Sequence, residues 1–283
     1  MRRNLGKGSS IALITGIYVI AGVLGVLVFR GLKSVVPELW AVFWADVVAT
    51  VIVWGWGVAY RNVSVYDPYW SVAPPVIFTL WAIYRNCWSL PVILLLLAVW
   101  YWGIRLTGNW AAMFGGIGHE DWRYTKYRDS QSPLLFQLTN LFGLNMMPTV
   151  LVFACMLPGF GLYGTPATAN FLTFLGFAVC LSSATIQLVA DTQIHRFRAA
   201  HPGEPCTAGL WKHGRHPNYF GEIQFWWGVW LQYASLRGVD WLILAPVAMT
   251  ALFLFISIPM MEKRQLARKP AYAEYKKNTR ILI

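Results

Sequence analysis

GLWKHGRHPNYFGE, residues 209–222, is a basic stretch that stands between two long apolar segments of the chain. Its lysine, histidine and arginine side chains supply positive charge and hydrogen-bond donors, and Pro217 suits the first turn of a helix. The N-terminus of a helix favours anions, and neighbouring cations strengthen that preference. The stretch therefore predicts a phosphate-binding loop where an apolar helix begins.

The composition around this loop is that of a helical membrane protein. Hydrophobic residues make up 57% of the 283 residues and charged residues 12%, against about 25% charged in soluble domains. The 16 tryptophans also suit bilayer interfaces. The net charge of +11 could indicate nucleic acid, but it collects in short loops beside apolar segments, as topology signals do. We therefore expect an all-α polytopic membrane bundle that contacts lipids and no nucleic acid.

Eight apolar segments have the length or composition of a membrane-spanning helix, which needs about 20 mostly apolar residues. No repeat or linker divides them, which predicts one transmembrane domain over residues 1–283. We expect eight spans, within a range of seven to ten, over residues 11–29, 39–60, 70–84, 90–106, 134–157, 168–190, 219–236 and 241–261.

The distribution of positive charge predicts the orientation of these spans. With eight spans, both termini lie on the same side of the membrane. Of the 23 lysines and arginines, only Arg30, Lys33, Arg85 and Arg237 then fall on the opposite side. By the positive-inside rule, both termini are cytoplasmic. The four cysteines form no CxxC pair and have no histidine at metal-ligand spacing, so we predict neither disulfides nor a metal site.

Polar residues mark the end of the sixth predicted span. Gln187 and Asp191 are four residues apart and share one face of a helix. His195 and Arg198 follow. Ionisable groups inside a span are costly and indicate function, so this cluster predicts a site for the ribose and phosphates of a nucleotide. The alternative is a polar helix end that emerges from the membrane.

Two other places in the sequence could carry a proton. Asp67 precedes Pro68 at an apolar boundary. It is either the N-cap of the third span or a carboxylic acid whose pKa is raised in a low-dielectric site. Tyr101 and Arg105 share a face of the fourth span, either as a site or as a packed tyrosine and a snorkelling arginine. Near the C-terminus, tyrosines interleaved with cations suit either lipid headgroups or a cofactor.

Three segments together resemble the steroid 5-alpha-reductase family, and within it the DUF1295-type proteins. They are the stretch 209–222, the upstream residues from Asp191 to Glu204, and the terminal EKR followed by Tyr272 and Tyr275. The resemblance covers about residues 60–283. Members of that family are integral membrane reductases that use NADPH to saturate a carbon–carbon double bond conjugated to a ketone. The resemblance implies the same reaction here, on a lipid-like enone such as a 3-oxo-4-ene steroid.

The resemblance also implies roles for individual residues. The family's cofactor-binding Asp and Arg fall on Asp191 and Arg198, and the Asn and Glu of its NFxGE-type motif on Asn218 and Glu222. Its acid pair falls on Tyr66-Asp67, and its catalytic tyrosine on Tyr101. The resemblance therefore implies that Tyr101 and Asp67 are catalytic. It implies that NADPH is bound by Arg105, Gln187, Asp191, Arg198, Asn218 and Glu222. From the basic loops and the tail we expect further NADPH-binding residues, namely Arg123, Arg215, His216, Tyr219, Lys263 and Tyr272.

In the implied mechanism, Tyr101 is polarised by a protonated Asp67 and stabilises the enolate oxygen that develops as hydride reaches the β-carbon. Motifs like RHPxY also occur in membrane methyltransferases of the isoprenylcysteine and phospholipid types, which use S-adenosylmethionine. Such an enzyme is the main alternative. A lipid-binding or transport protein is the third, although transporters tend to show internal repeats. We expect the protein in a bacterial inner membrane or an ER-type membrane.

Overall fold

The computed structural model describes residues 5–164 and 168–283. Regular secondary structure within these ranges is helical, which confirms the predicted all-α class. The α-helices are α1 (Lys7–Leu32), α2 (Glu38–Tyr60), α3 (Tyr69–Arg85), α4 (Leu90–Met113), α5 (Trp122–Ser130), α6 (Pro133–Leu138), α7 (Met147–Phe160), α8 (Phe171–Ala200), α9 (Pro217–Arg237), α10 (Leu244–Leu252), α11 (Ile258–Arg268) and α12 (Tyr272–Asn278). Short 3-10 turns cover Val63–Val65, Gly209–Lys212 and Trp241–Ile243, and π-helical segments cover Thr139–Met146 and Phe253–Ser257.

Six helical stretches of the described chain are long and apolar enough to cross a membrane, which indicates a membrane protein. They are Lys7–Leu32, Glu38–Tyr60, Leu90–Met113, Pro133–Phe160, Phe171–Ala200 and Trp241–Arg268. The predicted spans over residues 70–84 and 219–236 correspond to α3 and α9, which are helical but are not among the six. The count of eight spans and the cytoplasmic termini therefore stay predictions.

The chain divides into two compact units, and unit 1 consists of the described part of Met1–Val76 together with Leu106–Ala154. Helix α1 packs along α2, and Gly25 allows a close approach because a Cβ there would lie 3.3 Å from the Ala45 carbonyl oxygen. Ile14 and Ile17 of α1 pack with Val53 of α2 in the apolar core. In water, the burial of apolar side chains is the main force that drives two helices together. In lipid, the side chains are in apolar surroundings in either case, so close van der Waals packing stabilises the pair instead.

The loop that precedes α3 is held rigidly within unit 1. Asn62 donates to the carbonyl oxygens of Ile117 (2.8 Å) and His119 (2.9 Å), and it accepts from the backbone N–H of Ser64 (2.8 Å). Glu120 accepts from the backbone N–H of Val63 at 2.8 Å. These bonds satisfy buried polar groups that would otherwise be costly, and they fix the position of the residues that follow, including Asp67.

Unit 2 consists of Ile77–Arg105 together with Cys155–Ile283, and its largest contact is between α8 and α9. Glycines bring the two backbones together. A Cβ on Gly228 would lie 2.6 Å from Cys180 Sγ and 2.9 Å from the Gly176 carbonyl oxygen. A Cβ on Gly221 would lie 2.7 Å from the Ser183 carbonyl oxygen. Small residues at such positions are typical of helix pairs that pack in membranes.

Candidate functional site

The centre of the candidate site is a buried ion pair in unit 2. Arg105 Nη1 of α4 lies 2.8 Å from Asp191 Oδ2 of α8, and the two side chains are only 3% and 11% exposed. Arg105 Nη2 also donates to Gln187 Oε1, one helical turn before Asp191. The spacing of four residues on α8 thus presents an amide and a carboxylate to the same guanidinium. Buried charges need pairing of this kind, because desolvation of either ion alone is expensive.

Helix α9 contributes two more members to this group. Asn218 follows Pro217 in the first turn of α9, and its Nδ2 donates to Asp191 Oδ1 at 3.1 Å. Glu222, one turn later, is buried, and the charge of Arg105 acts on it. We refer to Arg105, Gln187, Asp191, Asn218 and Glu222 as the polar cluster. Residues that are far apart in the sequence therefore meet at one place in unit 2.

Two indoles fix the carboxylate of Glu222. Trp102 Nε1 donates to Glu222 Oε2 and Trp226 Nε1 donates to Oε1, both at 2.9 Å. The ring of Phe225 stacks on that of Trp102 with a centroid distance of 5.0 Å and an interplanar angle of 15°. Trp102 and Trp226 are both fully buried, so they set the orientation of Glu222 and exclude water from that side of the polar cluster.

The hydroxyl of Tyr101 lies one turn before Arg105 on α4 and is half-buried. It lies 3.0 Å from Thr185 Oγ1 of α8. Thr185 Oγ1 in turn donates to the Leu181 carbonyl oxygen at 2.8 Å. Because the threonine proton is committed to that carbonyl, Tyr101 must be the donor to Thr185. The phenol proton is therefore held on a weak partner from which it can turn away.

Asp67 lies in unit 1, at the end of the loop held by Asn62. The hydroxyl of Tyr124, a side chain of α5, donates to Asp67 Oδ1. Burial raises the pKa of Asp67 from 3.8 to about 6, while the nearby charge of Arg123 and the bond from Tyr124 act in the opposite direction.

The predicted site residues divide between the two units. Asp67 and Arg123 belong to unit 1, where Arg123 Nε pairs with Asp121 Oδ1 at 2.8 Å. Tyr101 and the other predicted residues belong to unit 2. The coupling of Asp67 with Tyr101, and the part of Arg123 in cofactor binding, therefore stay predictions.

The basic stretch at 209–216 forms contacts with the C-terminal tail. Arg215 Nε lies 2.7 Å from Glu262 Oε1, and its Nη1 donates to the carbonyl oxygens of Lys276 (2.9 Å) and Thr279. His216 Nε2 is 3.2 Å from the same Glu262 oxygen, and burial lowers the pKa of this histidine. The guanidinium of Arg215 is thus occupied by the tail.

Other predicted residues of this region line the same junction. The Tyr219 ring stacks on His216 with a centroid distance of 5.3 Å and an interplanar angle of 11°. Tyr272 is buried edge-on against Tyr275, whereas Lys263 is exposed. A role in cofactor binding for Arg215, His216, Tyr219, Lys263 and Tyr272 stays a prediction, and the junction has an evident structural role.

Comparison with known proteins identifies the family. The model of a protein family of unknown function, DUF1295, matches residues 53–279. The chain belongs to the DUF1295 family. An uncharacterized protein of Schizosaccharomyces pombe is 21% identical to it over 252 residues, which cover 79% of this chain and 73% of the relative. No solved structure matches this DUF1295 protein.

The polar cluster of the DUF1295 protein has donors to spare. Arg105 Nε and Gln187 Nε2 are buried and find no acceptor among the residues that the structure describes. The side chain of Arg198 on α8 forms no hydrogen bond or ion pair within the described ranges. The charge of Asp191 acts on Arg198, and the charge of Arg198 acts on Lys269. Lys269 donates to the Glu204 carbonyl oxygen at 2.7 Å, and burial lowers its pKa. Unmatched donors and an unpaired cation suit a ligand that carries phosphate and amide groups.

The sequence predictions missed one buried acid of the DUF1295 protein. Asp46 lies inside α2, is only 6% exposed, and accepts a hydrogen bond from the Tyr69 hydroxyl at 2.6 Å. Its signal was available, because it is a single acidic residue within an otherwise apolar predicted span.

Proposed function

We propose that this DUF1295 protein is an integral membrane reductase that uses NADPH to saturate the carbon–carbon double bond of a lipid-like enone, such as a 3-oxo-4-ene steroid. The observation that carries the proposal is the polar cluster. Residues from α4, α8 and α9 to which the family resemblance assigns the cofactor are in direct hydrogen-bond contact. Arg105 and Asp191 are 86 residues apart in the sequence, and Asp191 and Asn218 are 27 apart. Their contacts are therefore made by the fold and do not follow from proximity in the sequence.

The donors available at the polar cluster fit the polar groups of NADPH. Arg198 would hold a phosphate, since its side chain has no hydrogen-bond or ion-pair partner in the described chain and the charge of Asp191 acts on it. Arg105 Nε and Gln187 Nε2 would donate to ribose or carboxamide oxygens, which would satisfy two buried donors that are now unmatched. NADPH, when bound, would supply the hydride for the reaction.

Tyr101 would then act on the substrate rather than on the cofactor. Its hydroxyl is a donor whose present acceptor, Thr185 Oγ1, is a neutral hydroxyl at 3.0 Å. A developing enolate oxygen carries negative charge and is a stronger acceptor, so the phenol would turn toward it as charge builds up. The aromatic walls formed by Trp102, Phe225 and Trp226 would keep water out of the reaction.

A binding experiment separates the reductase from the methyltransferase. The purified protein in detergent is titrated with NADPH and, separately, with S-adenosylmethionine, and the heat of binding is measured. We expect binding of NADPH only. Arg198→Ala and Asn218→Ala should each weaken NADPH binding by about 1–3 kcal/mol, the scale of one charge-assisted hydrogen bond. Binding of S-adenosylmethionine without NADPH would replace the proposal with a methyltransferase.

The matched control for these variants is Arg237→Ala. Arg237 is an exposed cation of α9 that donates to the Gly161 carbonyl oxygen at 3.2 Å, at the opposite end of that helix from Asn218. Its loss should leave NADPH affinity unchanged. If the protein binds NADPH, 3-oxo-4-ene steroids and other lipid enones are then screened by the loss of NADPH absorbance. If Arg198→Ala and Asn218→Ala bind NADPH as tightly as the control Arg237→Ala does, these two residues do not take part in cofactor binding.

A further inference from the structure

Asp46 of unit 1 is a carboxyl group with an open side. Tyr69 donates its phenol proton to Asp46 Oδ1 at 2.6 Å, and no bond to Oδ2 occurs within the described residues. No cationic side chain of the described chain pairs with it. A carboxyl that is 94% buried in a membrane-spanning helix normally has all its hydrogen-bonding capacity satisfied. Asp46 thus has one carboxyl oxygen available and no partner charge.

The other polar groups near Asp46 are already saturated. Thr149 Oγ1 of α7 donates to the Asn145 carbonyl oxygen at 3.1 Å. It also lies within hydrogen-bond distance of Thr50 Oγ1 (2.9 Å) and of the Tyr66 hydroxyl (2.7 Å). Within the described residues, these hydroxyls bond to one another and to the Asn145 carbonyl oxygen, and none of them bonds to Asp46.

The backbone beside the C-terminal part of α2 is also irregular, beyond Thr50 on the side away from Asp46. The segment Thr139–Met146, which contacts α2, is π-helical, and Asn145 within it donates to both the carbonyl and the side-chain oxygen of Asn140 (2.7 and 2.9 Å). A π-helical turn costs stability relative to an α-helix and occurs frequently at functional sites.

We infer that Asp46 and Tyr69 form a binding site for the hydroxyl group of a lipid alcohol. A hydroxyl both donates and accepts, so it can bond to Oδ2 whether that oxygen carries a proton or not, and it can also bond to the phenol oxygen of Tyr69. An ammonium group would complement an ionised carboxylate, but its removal from water into this apolar core costs far more than that of a hydroxyl. The inference does not depend on reductase activity.

Carbodiimide labelling tests the site without a known physiological ligand. Dicyclohexylcarbodiimide reacts with carboxyl groups in apolar surroundings, and mass spectrometry of the full-length protein in detergent locates the adduct. We expect labelling of Asp46 that is absent in Asp46→Asn. A long-chain primary alcohol should slow that labelling by about tenfold, the effect of one or two hydrogen bonds, whereas its methyl ether, which cannot donate, should protect much less.

The neighbouring tyrosines provide a matched pair of variants. Tyr69→Phe and Tyr66→Phe each remove one buried phenol oxygen from unit 1, but only Tyr69 contacts Asp46. Protection by the alcohol should fall in Tyr69→Phe and persist in Tyr66→Phe. Equal protection by alcohol and ether, equal loss in both variants, or an Asp46 that never reacts in the folded protein would each overturn the inference. Enone reduction can fail while this result stands, and the reverse also holds.

Discussion

Removal of Arg105 should destabilise the protein far more than removal of an equivalent exposed arginine. In Arg105→Met, the apolar stem is retained, but Asp191 stays 89% buried after it has lost the guanidinium, and Asn218 still donates to it. Stranding one member of a buried ion pair costs about 3–5 kcal/mol. Arg123 and Asp121 form the same kind of pair at the same 2.8 Å, but their side chains are 39% and 30% exposed. Arg123→Met should therefore cost about 1 kcal/mol or less.

The assay is unfolding of each variant in mixed micelles of dodecyl maltoside and increasing sodium dodecyl sulfate, without nucleotide, with linear extrapolation of the free energy of unfolding. The double variant Arg105→Met with Asp191→Asn should lose at least about 1.5 kcal/mol less than the sum of the single variants, because the two residues interact directly. A cost for Arg105→Met equal to that for Arg123→Met, or a coupling energy near zero, would mean that the polar cluster is hydrated, and the reasoning about its unmatched donors would fail.

Three other predictions concern the catalytic residues and the topology. Tyr101→Phe should lower turnover of any accepted enone by about 10²-fold with NADPH affinity nearly intact, and full activity would exclude the phenol as a donor. The folded pKa of Asp67 is raised to about 6, so its ionisation costs stability as the pH rises from about 4 to above 6. Asp67→Asn should abolish this decline in thermal stability, and equal pH profiles would contradict the shift. Reporter fusions at both termini should be active on the cytoplasmic side, and disagreement between them would rule out an even number of spans.

Much of the helical framework was predictable because lipid imposes a simple constraint on sequence. An apolar run of sufficient length must form a helix that satisfies its own backbone, so the predicted segments 39–60 and 90–106 correspond to α2 and most of α4. Helix ends were less predictable. Helix α8 continues to Ala200, ten residues beyond the predicted end of the apolar span at residue 190, and its polar end includes Asp191, which pairs with Arg105.

The composition of the polar cluster was predictable in part, whereas the partner of each charge was not. A spacing of four residues placed Gln187 and Asp191 on one face, as expected. The sequence contains 23 lysines and arginines, and nothing local to Glu262 indicates that it binds Arg215 rather than a closer cation. Such choices depend on contacts across 47 residues, and periodicity carries no information at that range. The sequence therefore predicts a phosphate loop over 209–222, although in the structure Arg215 of this stretch anchors the tail.

The glycines between α8 and α9 also determine which parts of unit 2 can move. With Gly176, Gly221 and Gly228 at the interface, neither helix can slide or rotate by a residue without driving a side chain into the opposite backbone. The close packing of the two backbones thus fixes the distance between Asp191 on α8 and Asn218 on α9. The tail beyond Arg268 is held to the 209–216 stretch mainly by the side chains of Arg215 and Tyr275, and by a backbone hydrogen bond from Arg215 N–H to the Arg280 carbonyl oxygen at 2.9 Å. It has less backbone packing to break than the α8–α9 pair, so an opening that admits a bulky ligand is easier there.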